Sequence, residues 1–169
     1  MKKILVTLFC LMLTSSVIYA QSAPKIGWIE SEVLLQSMPE KAIADSELAK
    51  YSKDFQAQID IMIKDYQAKA TLYQDGGKTM AVAVKEVKSA EIQDLQSRIE
   101  AMQQSASEKI QSKKNDIYTP ILDKADKAIK AVARELNYDY IFDKSGSSLL
   151  FGKDADSILP MVKAKLGIK

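Results

Sequence analysis

The chain has 169 residues, 47% of them hydrophobic, with one Cys and no His, a length that suits a single domain. Without His, the usual general base, the commonest metal ligand and the Ser-His-Asp triad are missing, so only carboxylate or lysine chemistry stays open to an enzyme. The 24 basic and 22 acidic residues nearly balance, which argues against a strongly charged partner such as nucleic acid or a bare anionic membrane.

The first twenty residues have the pattern of a secretory signal peptide. Lys2 and Lys3 form a basic start, residues 4–13 are almost all apolar, and the small residue Ala20 follows. A membrane anchor is an alternative, but a spanning helix needs about 20 apolar residues and this run is shorter. Lipid attachment would need a Cys at the cleavage point, and Cys10 lies inside the apolar run. We therefore expect export, with cleavage near Ala20.

Cleavage would remove Cys10, two of the 24 basic residues and none of the 22 acidic ones. The mature chain would be formally neutral and free of cysteine, which excludes a disulfide and a thiol nucleophile. Asp154-Ala155-Asp156 is the nearest approach to a calcium loop, but it lacks the remaining ligands. A helix cap is the better interpretation, and the sequence predicts no metal site, no cofactor and no catalytic residue.

The N-terminal part of the mature chain predicts a strand and two helix starts. Lys25–Ile29 is a short strand candidate, and Glu32–Gln36 is a helical turn that packs on the strand. Ser37 and Glu40 have the spacing of a capping box, and Pro39 between them is tolerated in a first helical turn. A second helix is therefore predicted to begin here.

Residues 40–74 contain no Gly or Pro and have a heptad pattern of apolar residues, typical of a coiled coil. The stripe consists of Leu48, Phe55 and Met62 and, offset by four, Ile59, Tyr66 and Tyr73, with Ser52 and Lys69 in two further positions. Charged residues lie between these positions. A helix of this length would be roughly 50 Å long.

Asp75-Gly76-Gly77 predicts a sharp reversal, because Gly tolerates the conformation that closes a helix. A return helix is expected from about Lys78 or Thr79. Its stripe is Ile92, Leu95, Ile99, Met102 and Ala106, continued after a slip by Ile110, Ile117 and Ile121. Two amphipathic helices joined by a tight turn predict an antiparallel hairpin.

Pro120 is predicted to interrupt and bend the return helix and to mark its junction with a body. Beyond it the apolar face widens, as a helix that covers a sheet requires. Asn137 closes this helix, Tyr138–Asp143 is a second strand, and Ser147–Phe151 is a third strand in a hairpin with the second. Asp156 or Ser157 caps a last helix that Gly167 ends.

The expected fold class is α+β, with a small antiparallel β-body and a long antiparallel helical hairpin. The boundaries are 1–20 for the signal peptide, 21–39 and 121–169 for the body, and 40–120 for the hairpin arm. Such a body buries little apolar surface and is commonly stabilised by oligomerisation, so we expect a homo-oligomer. The predicted body or oligomer core is Ile26, Trp28, Leu34, Leu35, Ile141, Leu149 and Phe151.

The sequence resembles the Skp/OmpH family of periplasmic chaperones. The likeness covers nearly the whole mature chain and rests on the signal peptide and on residues 25–35, 128–143 and 149–158. It implies a periplasmic homotrimer with a shared β-body, whose helical hairpins surround a cavity and hold unfolded outer-membrane proteins without ATP. Well-known members are strongly basic, whereas this mature chain is formally neutral, and no lipopolysaccharide-binding motif can be carried over.

The expected client-contacting residues lie at the arm tip, because its apolar residues occupy more than one helix face and two helices cannot bury them all. They are Met80, Val82, Val84 and Val87, with Lys78, Lys85 and Lys88. Alternatively, these residues close the hairpin end. Tyr51, Met62, Tyr66 and Tyr73 could line a cavity, but plain packing is the commoner role for such residues.

Three other functions compete with a chaperone. A structural or adaptor coiled coil of the cell envelope would have a fixed partner and would not suppress aggregation of unrelated proteins. An enzyme is disfavoured by the absence of His and of a mature Cys, and a peripheral membrane binder by the neutral charge. The charged faces of the arm are interpreted as solvated surface.

Overall fold

The computed structural model describes residues 23–76, 79–146 and 149–168, so the predicted signal peptide and Lys78 lie outside the described residues. The elements in chain order are β1 (Ile26–Ile29), α1 (Ser31–Ser37), α2 (Pro39–Gly76), α3 (Val82–Glu135), β2 (Tyr140–Asp143), a 3₁₀ turn (Asp154–Asp156) and α4 (Leu159–Leu166). In this part of the chain, no helix combines the length and hydropathy that a membrane span requires.

Helices α2 and α3 lie side by side and run in opposite directions. Ion pairs join Glu40 to Lys124, Glu47 to Lys113 and Lys69 to Glu91, so residue numbers rise along α2 as they fall along α3. Their 38 and 54 residues correspond to roughly 57 and 81 Å at 1.5 Å per residue. We call residues 40–76 and 79–120 the arm, with residues 79–81 at its tip, and the remaining described residues the body.

The predicted heptad stripe lies at the contact between the two helices, which we call the seam. Every predicted stripe position of α2 and α3 is buried or half-buried, including Lys69, whereas their neighbours are mostly exposed. The fully buried positions are Ile59, Leu95, Ile99 and Ala106, with Ile121 further toward the body. Hydrophobic periodicity therefore located the contact correctly.

The turn at the arm tip is longer than the sequence predicted. Helix α3 begins at Val82 and not at Lys78 or Thr79. The amides of Thr79 and Met80 both donate to the carbonyl of Gly76, and Ala81 has an extended conformation. The Met80 side chain occupies the space beside Gly76 where a Cβ would point, so a larger residue there would displace it.

Helix α3 continues through Pro120 without ending, contrary to the predicted interruption. Proline has no amide hydrogen, so the carbonyl of Asp116 loses its usual helical partner. Pro120 and Asp116 are exposed, whereas Ile117 and Ile121 on the opposite side pack against the core. Packing of the neighbouring turns holds the helix together at this point.

The sheet is parallel, so the predicted antiparallel β-body is wrong. Strand β1 pairs with β2 in a register that aligns Ile26 with Tyr140 and Ile29 with Asp143. The two strands are joined by the crossover through α1, α2 and α3, and a parallel pair requires a crossover connection. Strand β2 therefore pairs with β1, which precedes the helices in the chain, and not with a neighbouring strand in a hairpin.

The predicted third strand, Ser147–Phe151, is also wrong over its described residues. Residues 149–151 form no strand, and Ser147 and Ser148 lie outside the described part. The free edge of β1 is occupied instead by Ser157, which forms a parallel bridge with Trp28, while the amide of Ile158 donates to the Trp28 carbonyl. The Ser and Gly residues between 145 and 152 predict a turn, but a turn there is compatible both with a third strand and with the observed irregular segment.

The body core lies between the sheet, α1, the start of α2, the last third of α3 and α4. Its buried side chains are Ile29, Leu34, Met38, Ala44, Ile121, Ala125, Ala128, Val132, Ile158 and Val162. No polar or charged residue of the described chain is buried. The wide apolar face predicted for α3 beyond Pro120 is confirmed by the four α3 residues in this cluster.

Two helix ends form as the sequence predicted. Asn137 has a left-handed φ of 54°, and the amides of Asn137 and Tyr138 donate to the carbonyls of Arg134 and Ala133, which is a Schellman motif. Gly167, with a φ of 71°, ends α4 in the same way. Ser157 accepts a hydrogen bond from the amide of Leu159 at the start of α4.

Asp143 at the end of β2 ties the sheet to the first residue of α1. Its carboxylate accepts hydrogen bonds from the amide and hydroxyl of Ser31 and from the amide of Ser145. Burial raises the pKa of the Asp143 carboxyl, but the bonds from Ser31 and Ser145 outweigh burial and hold this pKa below its usual range. The folded body therefore favours the ionised form.

The body should lose stability in acid through Asp143. A carboxyl with a depressed pKa stabilises the fold above its unfolded pKa of about 3.9 and loses this contribution as the pH falls through the folded value. In urea unfolding followed by Trp28 fluorescence, Asp143→Asn should therefore reduce the fall in stability below about pH 4. Asp123→Asn, at an exposed position of α3, should keep the wild-type acid dependence. Equal slopes for wild type and Asp143→Asn would contradict the assignment.

Candidate functional site

The arm tip presents the predicted aliphatic residues to solvent. Val82, Val84 and Val87 are 74%, 44% and 59% exposed, while Met80, Lys85 and Lys88 are half-buried. Val82 and Tyr73 line one shallow groove, and Val84 and Val87 line a second one. The tip therefore has apolar surface on two sides, as the sequence predicted, and Lys78 falls outside the described residues.

A groove runs along one side of the arm where the seam is open to solvent. Its section nearer the body has a floor of Phe55, Ile59, Ala106 and Ile110 and a rim of Gln56, Gln103 and Gln111. The section nearer the tip has a floor of Ile63, Tyr66 and Ile99 and a rim of Gln67, Gln96 and Gln103. We call the two sections together the glutamine groove, since Gln103 belongs to both.

Sequence reasoning missed the glutamine groove, although part of its signal was visible. Gln96 and Gln103 are seven residues apart and flank the predicted stripe of α3. Whether they meet Gln56 and Gln67 depends on how the two helices align, which the heptad pattern leaves open. Tyr66 lies half-buried in this groove, while Tyr51 packs edge-on against Phe55 with ring centroids 5.1 Å apart.

A second apolar groove lies at the base of the arm and was also missed. Ile43, Ala44, Pro120 and Ile121 line it, and Ile43 is 67% exposed. Glu40, Glu47, Asp116 and Lys124 stand around it. Ile43 lies outside the predicted stripe. The heptad pattern therefore did not predict that it would form a groove with Pro120.

The predicted core residues differ in how deeply they are buried. Trp28 and Leu34 are buried, and Leu35 and Ile141 pack half-buried against the core, as expected. Leu149 is half-buried outside this cluster. Ile26 and Phe151 are exposed, so they do not belong to the core of a single chain. Their predicted place in an oligomer core stays a prediction.

Exposed apolar side chains gather on the body, where Leu150 and Phe151 are 92% and 79% exposed. We call this set, completed by Ile26, Tyr140 and Phe142, the body patch. Next to it, the Trp28 indole donates to the Lys153 carbonyl at 2.9 Å, and the Lys144 ammonium lies 4.3 Å from the ring centroid. The body patch thus adjoins an indole that a hydrogen bond holds in place.

Charged contacts hold the base of the arm together. Hydrogen bonds from Lys41 and then from Tyr118 lower the pKa of the Asp45 carboxyl, and the bond from Lys124 lowers the pKa of Glu40. The same bond to Asp45 raises the pKa of Tyr118. Glu40, Lys41 and Tyr118 are half-buried, and Asp45 and Lys124 are exposed. Water therefore screens these contacts, which align the helices and add little stability. Within the described residues, no three acidic side chains are grouped to hold a metal ion.

Removing a seam side chain should loosen the arm and leave the body intact. Ile99 is buried in the seam, so Ile99→Ala should cost about 2 kcal/mol, seen as faster amide hydrogen exchange in residues 59–66 and 92–102. Ile61→Ala, at an exposed position of α2, should cost less than about 0.5 kcal/mol. Trp28 fluorescence should be unchanged in both variants. Similar exchange in the two would show that the seam does not hold the arm.

Comparison with known proteins gives one consistent result. The family model described as outer membrane protein (OmpH-like) matches residues 25–166. The chaperone protein Skp of Vibrio cholerae serotype O1 (strain ATCC 39315 / El Tor Inaba N16961) is 26% identical over 138 residues, which cover 79% of this chain and 78% of that protein. A solved structure of an OmpH-like protein from Caulobacter crescentus CB15 has the same fold, with a TM-score of 0.72 at 14% identity over 86% of this chain and 85% of that one. The chain belongs to the OmpH-like family, and the relative from Vibrio cholerae is named as a chaperone.

Proposed function

We propose that this protein is an ATP-independent periplasmic holdase, which binds unfolded outer-membrane proteins in a cavity between the arms of a homotrimer. The observation that carries the proposal is the long two-helix arm with apolar side chains outside its seam. Membership of the OmpH-like family and the likeness to a protein named as the chaperone Skp support it.

The arm is suited to transient binding of unfolded chains because a single seam cannot bury all the apolar residues of the arm, so some of them stay exposed. Ile61 and Leu72 of α2 and the valines of the tip are exposed. These residues are spread along the arm and separated by charged side chains, which limits association between arms. A flexible unfolded chain can contact several such sites at once, each weakly.

The body patch supports assembly of the chain into an oligomer. Five large apolar side chains lie exposed on a body whose sheet has two strands and one added bridge. Exposed apolar surface of this kind marks an interaction site. A second copy of the body would cover it and would supply the core that this small sheet lacks. Three copies would direct three arms to one side of a shared body.

Client capture by this chain depends on apolar contact more than on charge. The predicted mature chain carries equal numbers of acidic and basic residues. Long-range attraction of an acidic client would therefore be weak and screened within about 10 Å at ordinary salt. The affinity of the chain for an unfolded client should accordingly change little between low and moderate salt.

The direct test is light scattering during dilution of a urea-unfolded outer-membrane protein into buffer. The mature chain, purified without the first 20 residues, should suppress the scattering without ATP and at both 50 and 300 mM salt. A structural adaptor of the cell envelope would leave the scattering unchanged. That result would exclude the holdase function for a chain whose circular dichroism shows it to be folded.

The tip valines should contribute to holding. Val82→Ser with Val84→Ser removes two exposed aliphatic side chains, and we expect several-fold weaker suppression of scattering at equal concentration because about 1 kcal/mol of apolar contact is lost at each site. Ala81→Ser with Ala83→Ser changes the same turn and keeps the valines, so it should suppress like wild type. Equal suppression by both pairs would show that the valines only close the hairpin.

Phe151 should hold the oligomer together. Phe151→Asp places a charge in the body patch, where burial against a second copy would be costly. The variant should sediment as a smaller species than wild type, while Leu72→Asp, at an exposed position of the arm, should keep the wild-type size. A wild-type chain that sediments as a single copy would overturn the proposed trimer.

A further inference from the structure

We propose that the glutamine groove binds an extended, weakly charged segment of the unfolded client, with its backbone between the glutamine amides. This inference rests on the proposed holdase function and names the face of the arm that performs it. Three features of the groove support this assignment, namely its length, its amide rim and its lack of basic residues.

The groove has the dimensions of a short extended peptide. Its two sections adjoin at Gln103 and reach from Ser52 to Gln67 along α2. This separation of 15 residues corresponds to about 22 Å in an α-helix. An extended chain rises about 3.3 Å per residue, so about seven residues of a client fit along the groove.

The rim can satisfy a peptide backbone that has lost its water. A glutamine amide offers both donors and an acceptor, and an exposed strand presents alternating N–H and C=O groups. Gln56, Gln96 and Gln111 already donate to Asp60, Glu100 and Asn115, which leaves their carbonyl oxygens as acceptors. The side-chain amides of Gln67 and Gln103 make no hydrogen bond to another described residue, so each offers a complete amide.

The floor accepts every second side chain of such a segment. Phe55, Ile59 and Ile110 line one section and Ile63, Tyr66 and Ile99 the other. Because side chains alternate between the two faces of a strand, apolar residues at alternate positions of the client would face this floor. The remaining side chains would face solvent, so their identity would matter little.

The charges near the groove favour a weakly charged occupant. Its lining, as the structure describes it, contains one carboxylate, Glu100, and no Lys or Arg. Glu100 accepts a hydrogen bond from Gln96. The ion pairs Lys69–Glu91 and Arg98–Asp94 involve residues outside this lining. The Lys109 ammonium lies 5.9 Å from the centroid of the Phe55 ring, but Lys109 is not part of the lining. An acidic segment would therefore find no cation within the lining itself.

The first test measures affinity for two fluorescent peptides of ten residues. One alternates Val and Thr, and the other has Asp in place of every second Thr. The trimer with Gln103→Glu should bind the Val-Thr peptide about fivefold more weakly than wild type, since the loss of a hydrogen bond is worth about 1 kcal/mol. Gln58→Glu adds the same charge at an exposed position of α2 outside the groove and should bind like wild type. Wild type should bind the Asp-containing peptide more weakly.

The second test uses the absence of cysteine from the mature chain. Gln103→Cys and Gln58→Cys are labelled with a photo-crosslinker and mixed with an unfolded outer-membrane protein. Crosslinks from position 103 in excess over position 58 would support the groove. Equal yields, in a chain that still suppresses scattering, would overturn the groove and leave the holdase function standing.

Two other outcomes would also overturn the inference. If position 103 crosslinks to a second copy of this chain in the absence of client, the groove is a chain–chain contact. If the wild-type chain neither binds the Val-Thr peptide nor suppresses scattering, the proposed function fails and the groove assignment fails with it. Circular dichroism of each variant identifies any loss of helix that would mimic the first result.

Discussion

The apolar stripe of α3 holds both halves of this protein in place. Over residues 92–110 it packs against α2 and forms the seam of the arm, and from Ile117 to Val132 it covers the sheet, α1 and α4. One unbroken helix therefore carries the arm and closes the body core. Because a helix is stiff over this length, the direction in which the arm leaves the body is set by packing around Ile121 and Ala125.

A two-helix arm has a narrow seam, and this limitation explains much of its surface. Each helix can turn one stripe toward its partner, so apolar residues on other faces stay in contact with water. In a compact enzyme such residues would be a liability, whereas they are useful in a protein that holds unfolded chains. The same narrowness leaves the seam open on one side, where the glutamine groove lies.

In the body, by contrast, a few apolar side chains from several elements pack together in one core. Leu34, Met38, Ile158 and Val162 are completely buried, although they come from segments more than 100 residues apart. Strand β1 receives β2 on one edge and the bridge from Ser157 on the other. The patch of exposed apolar residues beside this sheet agrees with a body that is completed by further copies of the same chain.

Local sequence determined much of this protein, because its signals act over a few residues. The heptads located the seam, and Asn137 and Gly167 marked helix ends, since both take a left-handed conformation. The absence of His leaves the chain without a histidine base, metal ligand or triad. The strand direction was decided only by the tertiary structure, since pairing of residues 26–29 with 140–143 depends on a crossover that no local pattern specifies. The start of α3 at Val82 and its continuation through Pro120 were likewise visible only in the structure. The glutamine groove required both helices in their actual alignment, because its two sides come from segments that are distant in sequence.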